Sequence, residues 1–270
     1  MSIAYIDWGG THFRCVVEGL RPVSFEKSSH DIDIVQELKS LFLTQPELSH
    51  IGISFAGQVK DDIILSAPNI AAKELDLGAI FKDKVIRVQN DLKCAALAEA
   101  AYWNEKSIAV LYVGTGIGSA YIDKGVLVQG CDNLAGEIGH APYIKTGGIC
   151  GCGKDNCLEL SASGSGIAKK AAAKGLQSRT INELKQSETG EVIVDEFIEA
   201  VGYGASLIVT LLNPKILVIG GGIVQANEWL LEHIEKYIAK NGFKKSADAC
   251  EIKLSKLKNG SLDGARLLVL

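Results

Sequence analysis

Between Gly136 and Gly166 the chain concentrates residue types that bind soft metals and read hydroxyl groups. His140 is followed by Cys150, Cys152 and Cys157, all within 18 residues, and the acids Glu137 and Glu159 flank the group. One neutral imidazole and three thiolates make the four ligands of a closed tetrahedral zinc site, and Gly151 and Gly153 let the backbone turn tightly around an ion. A filled ligand set leaves no open coordination position, so the metal is read as structural. Its effect would be a rigid loop that holds Glu137, His140 and Glu159 at set separations, as a site reading several hydroxyls of a small polar ligand requires. The alternative, three unrelated buried cysteines beside an incidental histidine, fits poorly with such tight clustering among glycines.

Four other stretches carry chemistry with less specificity. Asp7, Gly9, Gly10 and Thr11 follow an apolar run, Ile3 to Ile6. Such a turn brings backbone N–H groups close to a polyphosphate, and the acid holds Mg²⁺ through water; a plain hairpin with a structural Asp has the same sequence. Gly114, Thr115 and Gly116 repeat the pattern after a second apolar run, Ile108 to Val113. Two such turns suggest opposed loops gripping one polyphosphate. Asn90 and Asp91 stand where an apolar strand, Val85 to Val88, meets a helix of small residues. There a carboxylate either caps the helix or accepts the proton of an attacking hydroxyl. Gly220, Gly221 and Gly222 leave room for a purine or ribose, or simply for close helix packing. Gly57, Gln58 and Asn69 sit in loops after short strands, where α/β folds keep ligand contacts.

The elements that must position these groups follow from hydrophobic period. Residues 31–43 carry Ile34, Val35, Leu38, Leu41 and Phe42 at helical spacing, with Asp31 available as the cap. Ile51 to Phe55 and Ile216 to Ile219 read as buried strands, Gly125 to Val128 as a strand after a turn, Glu191 to Leu212 as a helix, and Gly264 to Leu268 as the last helix. At 270 residues the chain suits two modest lobes rather than one core. A formal charge of −4, with no basic run interleaved with aromatics, argues against a nucleic-acid partner. No apolar stretch is long enough for a bilayer, and the start, MSIAYIDWGG, lacks a signal-peptide pattern. Cys15, Cys94, Cys131 and Cys250 are scattered as reduced thiols would be, so a cytoplasmic location is expected.

Together these motifs resemble the ROK family of sugar kinases and repressors, within the larger group that includes sugar kinases, actin and the Hsp70 ATPase. DWGGT is similar to its first phosphate motif, NDLKCAALAE to the segment with the catalytic aspartate, GTGIGSA to the second phosphate motif, and VIGGGI to the adenosine motif. GEIGH with CGCGKDNCLELSASG resembles its zinc and sugar signature. The resemblance implies an α/β, two-lobed actin-like ATPase (RNase H-like) sugar-kinase fold. Lobes of residues 1–106 and 107–254 are expected, with a C-terminal helix in about 255–270 packing back on the first. It implies ATP with Mg²⁺ and a hexose or N-acetylhexosamine as ligands, structural Zn²⁺ on His140, Cys150, Cys152 and Cys157, and a homodimer. Asp91 would be the catalytic base; Gly57, Asn69, Asn90, Glu137, His140 and Glu159 would contact sugar. Asp7, Gly9, Gly10, Thr11, Thr115, Gly116, Gly221 and Gly222 would contact nucleotide.

The chain departs from the family pattern in three places. His12 stands where a lysine usually follows GGT; Asn156 precedes the last zinc cysteine where glycine is frequent, a change that asparagine's tolerance of left-handed backbone makes cheap; and Phe55 and Ala56 stand where relatives often carry proline. An N-terminal helix-turn-helix of the repressor type is not expected, because the first strand begins at residue 3. Two rival readings are a sugar-binding relative that has lost phosphotransfer and a zinc-dependent hydrolase; the closed ligand set disfavours the second.

Overall fold

The structure, a computed structural model, describes residues 2–67, 70–177 and 180–270, and the chain forms two compact units. The first comprises residues 1–102, 129–135 and 257–270, the second residues 103–128 and 136–256. Where the sequence suggests a single cut near 106, the chain leaves the second unit's range for the seven residues Gln129–Ala135. Local patterning gave no sign of that excursion, because its contacts are made with residues far away in the chain.

In the first unit, β1 (Ser2–Trp8), β2 (His12–Glu18) and β3 (Val23–Ser28) form an antiparallel meander. A helix, α1 (Ile34–Thr44), leads to β4 (Leu48–Phe55), a small ribbon of β5 (Gln58–Lys60) and β6 (Ile63–Ser66), and a short α2 (Leu77–Ile80). β7 (Val85–Asn90) then runs directly into α3 (Asp91–Trp103). The main sheet has the order β3-β2-β1-β4-β7, with β1, β4 and β7 parallel. α1 is capped by Asp33 rather than the expected Asp31: the Asp33 carboxylate accepts from Val35 N at 3.0 Å and Gln36 N at 3.2 Å. Such a cap contributes about 1 kcal/mol. Ile34, Leu38 and Leu41 turn inward onto a core that includes Ile6, Trp8, Phe13, Ile53 and Phe55.

The second unit repeats the plan. β8 (Ile108–Val113), β9 (Ile117–Asp123) and β10 (Val126–Leu127), the last shorter than 125–128, form the meander. After the segment with Cys150, Cys152 and Cys157 come α4 (Glu159–Ala162), α5 (Gly164–Ala173), α6 (Ile181–Leu184) and the long α7 (Glu188–Leu212). Ser187 caps α7 at Gly190 N, and Asn213, with φ 48°, ends it. β11 (Ile216–Gly220), α8 (Gly222–Gln225), α9 (Leu230–Asn241), α10 (Lys244–Ala249) and β12 (Glu251–Leu254) complete the unit. Its sheet order, β10-β9-β8-β11-β12, has the same antiparallel and parallel neighbours as the first. The last helix, α11 (Gly260–Leu267), is longer than 264–268 and lies against β1 and β4 of the first unit. Arg266 grips Glu18 there with three hydrogen bonds of 3.0 to 3.1 Å. All seven cysteines are free thiols. Among the described residues no helix is long and apolar enough to cross a membrane.

Candidate active site and metal centre

In the first unit the turn between β1 and β2 is closed by Gly9 N, which donates to His12 O over 3.0 Å. Ser29 N holds the carbonyl of Thr11 at 3.0 Å. Asp7 sits just before the turn and is only 8% exposed. Ser54 Oγ donates to one carboxylate oxygen at 3.2 Å, and Arg14 Nη1 lies 3.4 Å from the other. Burial raises the Asp7 pKa, while Ser54 and Arg14 pull it back down. His12, at the position where the family pattern has lysine, pairs with Glu26 at 2.6 Å on the exposed side of the hairpin.

Along the same edge of the sheet, where Trp8, Phe55 and Asn90 stand in register at the ends of three parallel strands, β7 delivers Asn90 and α3 begins at Asp91. Asn90 Oδ1 accepts from Leu92 N at 3.1 Å and Lys93 N at 3.3 Å. Asp91 Oδ1 accepts from Leu92 N at 2.9 Å and Asn90 Nδ2 at 3.0 Å. Capping is thus shared, and the Asp91 carboxylate lies at the helix end where negative charge is favoured. Asn90 Nδ2 also donates to Gly57 O at 3.3 Å, so Gly57, Asn90 and Asp91 converge. Asn69 lies outside the described residues.

The second unit builds its turn differently. Gly114 N donates to Gly116 O at 2.9 Å, and the start of α5 docks on the turn through Gly164 N to Gly114 O (2.9 Å) and Ser165 N to Thr115 O (3.1 Å). A Cβ on Gly116 would lie 2.8 Å from Glu159 Oε2, so the glycine turn and this carboxylate are direct neighbours. Gly221 has φ +89°, and a Cβ there would lie 2.4 Å from Val113 O; Gly222 faces open space. The two explanations of the triple glycine therefore divide by residue: packing accounts for Gly221, and Gly222 has no packing requirement.

His140 ends a 3₁₀ turn, Ile138–His140, with Glu137 Oε2 3.9 Å from its Nε2. Its Nδ1 lies 3.6 Å from Cys150 Sγ, and Cys152 Sγ lies 3.3 Å from Cys157 Sγ. The four ligand atoms all lie within 4.8 Å of one another. Zn–S bonds of about 2.3 Å in a tetrahedron put sulfurs about 3.8 Å apart, so this donor set fits a zinc ion. Two arms hold it together: Leu158 N donates to Ala141 O and Tyr143 N to Asn156 O, flanking the Pro142–Cys157 bridge. Asn156 is not among the residues with positive φ; the left-handed positions between His140 and Cys157 are Gly147 at +80° and Gly153 at +90°. Asn156 therefore makes no use of the left-handed tolerance expected of it. Burial pushes the Cys157 thiol up to about 12, so cation binding here would be coupled to proton release. Cys150 Sγ also lies 3.6 Å from Glu159 Oε1, so the His/Cys cluster, Glu159 and the second glycine turn form one contiguous group.

Two buried residues beside Asp91 escaped the sequence reading: Lys93, 3% exposed, and Asn133, 8% exposed, which bond to each other. Lys93 did carry a signal, since a lysine in the first turn of a helix opposes the dipole. Asn133 carried none.

Two similar mixed sheets, each with a glycine turn between its first two strands, define the actin-like ATPase fold. A ROK hexokinase from Thermus thermophilus has this fold, with a TM-score of 0.84 at 24% identity over 100% of this chain and 98% of that one. So does a ROK family glucokinase from Streptomyces griseus in complex with glucose and AMPPNP, with a TM-score of 0.78 at 23% identity over 100% and 99%. The N-acetylmannosamine kinase of Vibrio cholerae serotype O1 is 32% identical over 88% of this chain and 89% of its own length. The model of the ROK family matches residues 3–270, and the chain belongs to the ROK family.

Proposed function

We propose that this protein transfers the γ-phosphoryl group of ATP to a hydroxyl of a hexose or N-acetylhexosamine, at C6, with Asp91 as general base. The observation that carries the reading is the contact of Gly116 with Glu159: a turn suited to phosphate and a carboxylate suited to sugar hydroxyls are neighbours, braced by a metal-binding loop. The relatives support the same chemistry, being named hexokinase, glucokinase and N-acetylmannosamine kinase, one of them bound to glucose and an ATP analogue.

In this mechanism Asp91 accepts the hydroxyl proton as the oxygen attacks phosphorus, and Asn90 holds both the sugar and the carboxylate. Glu137, His140 and Glu159 accept or donate hydrogen bonds to the other hydroxyls. Backbone N–H groups of both glycine turns hold the phosphates, with Gly222 giving space to the adenosine. Mg²⁺, when bound, neutralises charge on the β- and γ-phosphates. Asp7 suits a water-mediated contact to it, because Arg14 already stands at one of its oxygens. Zinc on His140, Cys150, Cys152 and Cys157 supplies rigidity; an imidazole bound through one nitrogen still offers the other to a ligand.

An ADP-release assay over a panel of hexoses and N-acetylhexosamines tests the activity. Asp91→Asn keeps shape and removes the base, so kcat should fall about 10²- to 10⁴-fold with KM little changed. A variant within a few-fold of wild type rules Asp91 out as the base. The homodimer implied by the family is part of the same proposal, and light scattering at assay concentration tests it.

A further inference from the structure

The turn that carries Asn90 and Asp91 is not held by its own helix alone. Lys93, in the first turn of α3, is buried, and its Nζ donates to both Asn133 Oδ1, at 2.8 Å, and Asn133 O. The Asn133 amide in turn donates at 2.7 Å to Gln89 Oε1 and at 2.7 Å to Val59 O. Gln89 Oε1 also accepts from Asn90 N at 2.8 Å, and Asn90 Nδ2 reaches Asp91 Oδ1. An unbroken run of hydrogen bonds therefore leads from Lys93 through Asn133 and Gln89 to the Asn90–Asp91 turn, and every bond lies within the first unit. Asn133 is brought there by the excursion Gln129–Ala135, takes a left-handed φ of 58°, and is backed by the Lys60–Asp132 pair at 2.7 Å.

Lys93 breaks two local rules: a cation is buried, and it stands at the positive end of a helix. An apolar side chain of the same length would fill the space without either cost. Departures of this kind are expected where a site needs them. We propose that Lys93 and Asn133 are positioning residues: they orient Gln89, and through it the Asn90–Asp91 turn, for the proton transfer assigned to Asp91. The proposal rests on that assignment.

Two variants of the full-length protein separate this role from plain stability. Asn133→Asp keeps both acceptors for Lys93 but loses the amide donors to Gln89 and Val59; Lys93→Met removes the ammonium at near-constant length. Amide hydrogen exchange, read by NMR, should quicken at least about 10-fold at Asn90 and Leu92 in both variants, with β8 and β9 unchanged. In the hexose kinase assay kcat should fall about 10- to 100-fold while KM for ATP stays within about 3-fold, as expected for a misplaced base. A double variant no worse than the worse single one would mark a shared path. Unchanged exchange at Asn90 and Leu92 in Asn133→Asp overturns the proposal, as does a kcat within about 3-fold of wild type in an otherwise active enzyme. Should Lys93→Met fail to fold, Asn133→Asp decides. Wild type inactive on every sugar would overturn the proposed function instead, and the exchange measurements alone would still decide whether this network holds the turn.

Discussion

The two glycine turns look alike in sequence and are supported in different ways. Behind the β1–β2 turn the acid is Asp7, supplied by the strand itself and enclosed by Ser54 and Arg14. Beside the β8–β9 turn the acid is Glu159, supplied from beyond the His/Cys cluster, and the N-terminus of α5 docks on the turn. The first turn is therefore local and self-contained, and the second takes its acid from a separate segment held by its own hydrogen-bonded arms around the Pro142–Cys157 bridge. A duplicated fold can thus reuse one backbone shape and give each copy a different electrostatic partner.

Several variants would break or sharpen that contrast, beginning with the largest effect. Cys157→Ser removes the fully buried thiol proposed to hold zinc and should release the loop that carries Glu159. Activity should fall by at least about 100-fold, as changes in metal affinity and site order of this kind usually bring, and bound zinc measured by metal analysis should drop with it. Hydrogen exchange in β1 and β2 should stay at the wild-type rate. An exchange increase spread equally over both units would show that the two turns are not independent.

Gly116→Ala places a methyl against the Glu159 carboxylate, a flexible group that can move aside. Stability should change by about 1 kcal/mol or less, but KM for the sugar should rise about 10-fold as Glu159 is displaced. A larger effect on KM for ATP than on KM for the sugar would assign Glu159 to the nucleotide instead.

Asp7→Asn acts on the first turn with an opposite sign for stability. Because burial raises the Asp7 pKa in the folded state, the ionised group costs stability, and the cost grows as pH rises through the carboxylate range. The variant should melt above wild type at pH 7, and the gain should shrink as pH falls below the usual carboxylate pKa. A differential scanning comparison across pH checks this, and a gain that grows toward low pH would refute it. Gly9→Ala should have the smallest effect: its Cβ would meet only His12 O, at 3.3 Å, so a stability loss under about 1 kcal/mol is expected in denaturant titration.

The clustering of His140, Cys150, Cys152 and Cys157 was legible in advance because these residues lie close together in the chain, so spacing alone restricts how they can meet. The internal repeat was legible for a similar reason: each glycine turn interrupts a run of apolar strand residues. Asp7 was not, since two uses of the same residues predict the same sequence, and only Ser54 and Arg14 show how its carboxylate is enclosed. The cap of α1 moved from Asp31 to Asp33 because the choice between nearby acids depends on where the first helical N–H groups point.

Sequence by itself determined the residue types, their local order, the two similar units and the soft-ligand cluster, all of which follow from short-range spacing and hydrophobic period. Tertiary structure alone decided that Glu159 stands beside Gly116 and that Asn133 reaches Lys93 and Gln89. These contacts join residues distant in the chain, and their positions depend on how whole elements pack rather than on any pattern a single segment carries.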